Sequence, residues 1–278
     1  SARKKGKRPI VSFISDDSPI SDWNILKPII EEKNVPIGLG VITSKISTEG
    51  FLSWEQLKEM EAVGCEIWSH THEHRDSRTL PLDVLEEDIK LSKQILNDNG
   101  FYPKGFVYPY NSHDLNTVSV VQKYFNYSFS KSAGPAMTTT GKNYPKINNQ
   151  IIARVSLGSY FDVPMEGFPQ DTSSLEYYKS RVDEALENNN WLVFVLHTWH
   201  EDFDATQQQY FKNIIDYVRT KDIDIVSPQE GFDIYGNLIQ IGIGRKRFWV
   251  DADGDEDSSN NKVVITNPNE KGFNSHIV

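Results

Sequence analysis

Pro9-Ile10-Val11-Ser12-Phe13-Ile14 runs straight into Ser15-Asp16-Asp17. The run is short, apolar and rich in β-branched side chains, which reads as a buried strand that delivers polar chemistry at its C-terminal end. The same arrangement occurs twice more. Cys65-Glu66-Ile67-Trp68-Ser69 leads into His70-Thr71-His72-Glu73-His74, and Trp191-Leu192-Val193-Phe194-Val195-Leu196 ends at His197. Further strands are expected at Pro36–Ile42, Gly105–Tyr108, Phe125–Phe129, Ile151–Val155 and Ile223–Val226. Helical spacing fills the intervals: Trp23–Ile30, Leu82–Asn97, Asn116–Tyr124, Leu175–Asn188 and Tyr210–Val218. Ser53 and Gln56 form a capping box for a helix that runs to about Ala62. Strands alternating with helices argue for parallel βαβ units, hence an α/β fold. An open doubly wound sheet and a barrel both place ligands at the C-terminal ends of their strands. A ring makes polar groups from distant strands converge, so barrel-like closure is the expectation.

Composition narrows the partners. The 278 residues carry 29 Lys+Arg against 39 Asp+Glu, a formal net charge of -10. Such an acidic chain is poorly suited to nucleic acid, which requires clustered cations. The one basic run, Arg3-Lys4-Lys5-Gly6-Lys7-Arg8, reads as a solvated arm. Cys65 is the only cysteine, so an internal disulfide and a cysteine-cluster metal site are both excluded. No stretch approaches the roughly 20 apolar residues of a membrane span. No signal peptide is visible, but the chain begins at Ser1 rather than Met, which leaves export open. The composition shifts after Tyr235. Leu238–Ile243, Phe248–Val250 and Val263–Thr266 read as strands of a small β-rich appendage, giving a barrel over 1–235 and an appendage over 236–278. Asp251, Asp253, Asp255 and Asp257 have the look of a calcium loop, but Glu256 occupies the position where such a loop needs glycine. An acidic hairpin tip is the better reading. Lys131–Asn149 reads as a long loop.

The chemistry lies in Asp16-Asp17, His70-Thr71-x-x-His74 and His197. A hydrolytic metal site needs a few hard or borderline ligands with positions left open for water and substrate, and two histidines with a carboxylate are one way to supply it. His70 and His74 are four residues apart, which brings their rings to one side of a helical turn. Adjacent side chains in a regular strand diverge, so of Asp16 and Asp17 one can bind metal while the other faces the water.

As a set, these residues resemble the polysaccharide deacetylase family, also called the NodB-homology domain or carbohydrate esterase family 4. The matching stretches are Ser15-Asp16-Asp17-Ser18, His70–His74, Phe106-Val107-Tyr108-Pro109-Tyr110 and Leu196-His197, in the family's order over residues 9 to 233. The resemblance implies a distorted (β/α) barrel of about seven strands. It also implies a metal, zinc first, held by Asp17, His70 and His74, with Asp16 as general base and His197 as general acid. Tyr110 would offer its backbone N–H to the oxyanion, and Leu196 would line the pocket for the acetyl methyl. Trp199 follows the acid; its face could stack on a sugar or pack in the core. His72 is not expected to be a ligand.

Ser18 and Ser15 depart from the family's usual glycine and aromatic. Val107-Tyr108 stands where an arginine often orients the base; Arg154 could substitute, or be a surface residue, and the family's Asp–Trp motif has no placeable match. The implied activity is metal-dependent removal of acetyl groups from N- or O-acetylated sugars of a polysaccharide, at a cell surface, on a virion or outside the cell. The competing expectations are a catalytically weak carbohydrate-binding module on the same fold, and a metal-dependent amidase acting on a small substrate. Oligomeric state is left open.

Overall fold

A computed structural model describes residues 8–130, 151–153, 155–158, 173–187, 189–236, 246–250 and 262–266. Its main sheet contains β1 (Ile10–Ser15), β2 (Ile37–Val41), β3 (Cys65–Ser69), β4 (Gly105–Val107), β5 (Tyr127–Ser130), β6 (Ile151–Ala153), β7 (Val155–Ser156), β8 (Trp191–Leu196) and β9 (Asp224–Ile225). All their pairings are parallel, in the order β6-β5-β4-β3-β2-β1-β8-β7, with β9 beside the start of β1. The two ends of that order, β6 and β7, are separated in the chain by one residue. The segment 151–156 therefore reaches β5 with its first half and β8 with its second, and the sheet curls into a distorted (β/α) barrel of seven principal strands.

The helices are α1 (Lys27–Lys33), α2 (Trp54–Ala62), α3 (Leu82–Asp98), α4 (Leu115–Val121), α5 (Leu175–Glu187), α6 (Ala205–Thr220) and α7 (Pro228–Gly236). A π-helical turn, Asp22–Leu26, precedes α1. The Ser53–Gln56 capping box is present in both directions. Helix α6 starts earlier than the apolar spacing predicts, because the Asp204 carboxylate accepts the Gln207 N–H at 2.9 Å and caps it. The apolar pattern did not announce α7. Gly231 lies at its centre, where a methyl group would collide with the Trp191 indole.

Strand alternation divides the core. On β1, Val11 and Phe13 pack outward with Leu192, Phe194 and Leu196 of β8 and the surrounding helices. Ile10, Ile14, Trp191, Val193 and Val195 pack inward with Trp68, Tyr127 and Phe129. Strand β2 turns Ile37, Leu39 and Val41 outward. Its Gly38 and Gly40 lie against Ile14 and Asp16, and that missing bulk leaves room inside the barrel. Helix α7 adds Phe232 and Tyr235 to the interior cluster, and the Tyr235 hydroxyl donates to the carbonyls of Arg8 and Asn189 at 2.7 Å each.

Lys246–Val250 (β10) and Lys262–Thr266 (β11) form an antiparallel pair, so two of the three strands expected in the C-terminal region are present. The expected loop 131–149, Arg154, the strand 238–243 and the acidic run 251–257 lie outside the described residues.

Asp22 ties the top of the barrel together. It is fully buried, and its Oδ1 accepts the hydroxyls of Ser15 at 2.7 Å and Thr198 at 2.6 Å. Ser15 is the last residue of β1, and Thr198 lies two residues beyond the end of β8. The other oxygen, Oδ2, has no hydrogen-bond partner. Burial first, then the charges of Asp17 and Asp16, push the Asp22 carboxyl up to about 7, with the two hydroxyls opposing.

Two outcomes follow for stability. Gly231→Ala should lose about 1–3 kcal/mol in urea unfolding, because Trp191 is fully buried and its N–H is fixed on Ser12 Oγ at 3.0 Å, so the ring cannot yield. A loss below about 0.5 kcal/mol would mean that α7 is free to shift. Asp22 ionises near ~3.9 when unfolded and near 7 when folded. The native state therefore holds the extra proton between those values, and its stability falls as pH rises through that window. Asparagine keeps an oxygen for the two hydroxyls and carries no charge. In metal-free protein, the stability gained by Asp22→Asn should grow by about 2–3 kcal/mol between about pH 5 and about pH 8. A gain independent of pH would show that Asp22 ionises normally.

Candidate active site

The polar groups meet in a cavity of ≈ 580 Å³ at the C-terminal ends of the strands, lined among others by Asp16, Asp17, His70, His74, Tyr110, His197 and Trp199. Alternation delivers three of them. Asp16 continues the inward row of β1, His70 that of β3 and His197 that of β8. The β1–β8 register pairs Ser15 with Leu196, and the Asp16 N–H donates to the Leu196 carbonyl at 3.1 Å. Asp16 and His197 thereby become neighbours, with Oδ2 to Nε2 at 3.6 Å.

Asp17 reaches the same cavity by leaving strand geometry. Its φ of 77° is left-handed, which brings its side chain to the side already used by Asp16. Adjacent aspartates therefore share one site, which a regular strand would forbid. Leu196 is placed differently from the expectation. It has outward parity, is fully buried in the outer core, and does not line the cavity.

Asp17 Oδ1, His70 Nε2 and His74 Nε2 form a nearly equilateral triangle. Oδ1 lies 3.2 Å from His70 and 3.1 Å from His74, and the two nitrogens are 3.1 Å apart. Oδ1 is buried and makes no hydrogen bond despite these contacts. The reason lies behind His70, whose Nδ1 is 2.8 Å from the Val107 carbonyl. A carbonyl only accepts, so Nδ1 carries the proton and, in the neutral ring, Nε2 presents its lone pair to the centre. A triangle of this edge has a circumradius of about 1.8 Å, shorter than zinc–ligand bonds of roughly 2.0–2.2 Å. The spacing would let all three atoms hold one ion, and the donor set fits a divalent metal. Among the described residues this is the group of histidine and acidic side chains that could hold one. Without an ion, burial penalises charge on Asp17 and on His70, but their proximity outweighs it. The Asp17 carboxyl lies well below the usual carboxylate range and His70 is raised.

The histidine loop is pinned from beneath. Thr71 and His74 both have positive φ, 67° and 54°. Buried Asp88 on α3 accepts the N–H groups of His72 at 2.9 Å and Glu73 at 3.2 Å and pairs with Arg75. Thr71 Oγ1 accepts the His74 N–H at 2.9 Å. His72 turns away, with Nδ1 2.9 Å from Thr43 Oγ1. Asp88 was not singled out from the sequence, although it sits between Leu85 and Ile89 on the apolar face of α3, where a carboxylate needs partners.

Two exposed aromatics border the triangle. Tyr110, 59% exposed and at φ 56°, has its ring centroid 4.8 Å from that of His74. Trp199, 46% exposed, is a wall of the cavity rather than a core residue, and its indole N–H donates to Asp17 Oδ2 at 2.7 Å. That bond could not be read from the sequence, because it joins residues 182 apart.

Residues 3–127 match the family model described as polysaccharide deacetylase. The structure resembles the carbohydrate esterase family 4 domain of a multidomain xylanase from the hindgut metagenome of Trinervitermes trinervoides, at 16% identity and a TM-score of 0.57, over 85% of this chain and 94% of that one. It is similar also to a family 4 carbohydrate esterase from Streptomyces lividans, at 15% identity and a TM-score of 0.54, over 82% and 96%. A family 4 acetyl xylan esterase from Clostridium thermocellum aligns at 14% identity and a TM-score of 0.55, over 82% and 92%. At these identities the likeness is one of fold. No curated protein matches the chain. No helix among the described residues is long and apolar enough to cross a membrane. Residues 3–127 thus match the polysaccharide deacetylase family model, and the barrel around the site has the fold of carbohydrate esterase family 4 structures.

Proposed function

We propose that this protein is a metal-dependent deacetylase that removes acetyl groups from N- or O-acetylated sugars of a polysaccharide. The observation that carries the reading is the triangle of Asp17 Oδ1, His70 Nε2 and His74 Nε2 beside the Asp16–His197 pair in one cavity. Asp17, His70 and His74 hold the ion, with zinc the first choice for one oxygen and two imidazole donors. A divalent ion bound there supplies Lewis acidity and a water of lowered pKa. Asp16 takes the proton from the attacking water. His197 returns a proton to the departing amine or alcohol, and the Tyr110 backbone N–H faces the developing oxyanion. Trp199 and Tyr110 offer ring faces to the sugar. Polysaccharide substrates put the site of action outside the cell, at a cell surface or on a virion. The inactive-module reading is weaker, because both proton-transfer residues line the cavity with the ligand triangle.

Acetate release from a panel of acetylated glycans, with and without chelator, tests this. His74→Ala should lose most bound metal and all turnover. Asp16→Asn should retain metal and glycan binding but lose about 10²-fold or more in turnover. His197→Ala should also keep its metal and lose turnover. Metal retained by Asp17→Asn but lost by Asp16→Asn would reverse their roles, and acetate release indifferent to both aspartates would end the deacetylase reading.

The barrel and appendage are proposed to be separable, with the cut after Gly236, because Tyr235 is buried and bonded to the barrel. Deleting residues 237–278 should leave a cooperatively unfolding, metal-binding protein. An insoluble product would show that the tail completes the core.

A further inference from the structure

The two oxygens of Asp17 have different surroundings. Oδ1 faces His70 and His74 with no hydrogen-bond donor, while Oδ2 accepts the Trp199 indole N–H at 2.7 Å. A carboxylate can hold a metal through one oxygen or through both. An oxygen engaged in a short bond from an ionised-acceptor pair is a poor second ligand, because coordination would cost that charge-assisted bond. Rotation of the carboxylate is opposed as well, since the indole is a large, rigid donor carried by the segment that follows β8.

We propose that Trp199 is a positioning residue of the metal centre. Its N–H occupies Asp17 Oδ2, restricts Asp17 to a single metal–oxygen bond through Oδ1, and so keeps one coordination position for water or the acyl oxygen. This rests on the reading that Asp17, His70 and His74 hold the ion. The role depends on the ring's N–H, which phenylalanine lacks. The ring face remains in the cavity wall, 46% exposed, so one side chain serves substrate with its face and the metal ligand with its edge. The two duties can be separated by chemistry.

Trp199→Phe keeps an aromatic face and removes the donor. Replacing Trp199 by 3-benzothienylalanine keeps the indole's shape and puts sulfur in place of the N–H, so any change shared by both variants comes from the lost donor. The measurements are zinc affinity by calorimetry on the metal-stripped protein, the visible absorption of its cobalt form, glycan binding and the thermal midpoint. Both variants should bind zinc about 10–100-fold more weakly. Their cobalt forms should absorb less strongly, as Oδ2 joins the coordination sphere and the coordination number rises. The thermal midpoint should stay near that of the parent, and any loss of glycan binding should be smaller for 3-benzothienylalanine, which keeps the bicyclic ring face, than for phenylalanine. Unchanged zinc affinity together with an unchanged cobalt spectrum would overturn the proposal. His74→Ala, measured alongside, separates the two levels: if it keeps its zinc, the ligand assignment itself is wrong, whereas loss of zinc in His74→Ala with none in the Trp199 variants overturns only the role of the indole.

Discussion

Six consecutive parallel pairings, from Ile10 with Trp191 to Ser15 with Leu196, bind β1 to β8 and set everything above them. Both strands end at the same level, so the next residue of each, Asp16 and His197, emerges on the inner side of the barrel. Slipping this ladder by one residue would exchange inner and outer faces along the whole strand. The acid and base would then leave the cavity, and Phe13 and Phe194 would leave the outer core. Burial of those apolar rows thus enforces the placement of two polar residues whose own interactions contribute little to it. Asp22 secures the strand ends by accepting both Ser15 and Thr198, and burial shifts its carboxyl toward the neutral form.

Beyond the strand ends, the site is built from backbone that ordinary side chains disfavour. Asp17, Ser18, Thr71, His74, Tyr110 and Asn111 all have positive φ. Each such residue costs of order 1–3 kcal/mol and persists where its surroundings over-determine it. Those surroundings can be named: Asp88 beneath the histidine loop, the Val107 carbonyl behind His70, and Ser130 Oγ on the Asn111 carbonyl at 2.9 Å. The strain lies in loops above a sheet packed on both faces, so the barrel can carry it. Its effect is to turn side chains that a regular strand would send in opposite directions toward a single centre.

The residues brought together also have divided loyalties. Asp17 gives one oxygen to the histidines and the other to Trp199. His70 gives one nitrogen to a backbone carbonyl and the other to the centre. Each outer bond settles which atom is left for the inner task. A buried carbonyl therefore matters here as much as a charged side chain, since it fixes the tautomer of the histidine in front of it.

Much of this was legible in the chain itself. Apolar runs such as Pro9–Ile14 and Trp191–Leu196 announce buried strands, because nothing but burial on both faces favours so continuous a row, and their polar ends mark where a parallel barrel puts its chemistry. Local capping signals such as Ser53 and Gln56 are equally self-contained, since donor and acceptor lie within one turn. Strand parity was legible in principle and would have placed Leu196 outward, had the inner face of β8 been known. The rest depended on contacts between distant residues. Whether Asp16 and Asp17 diverge or converge is decided by one left-handed backbone angle. Whether Trp199 packs in the core or walls the cavity is decided by where the segment after β8 lies over Asp17. Helix α7 was hidden because Gly231 answers to the Trp191 ring across the barrel floor rather than to its own helix. Sequence spacing determines what can be settled within one element; the orientation of groups that meet across elements exists only once the barrel has closed.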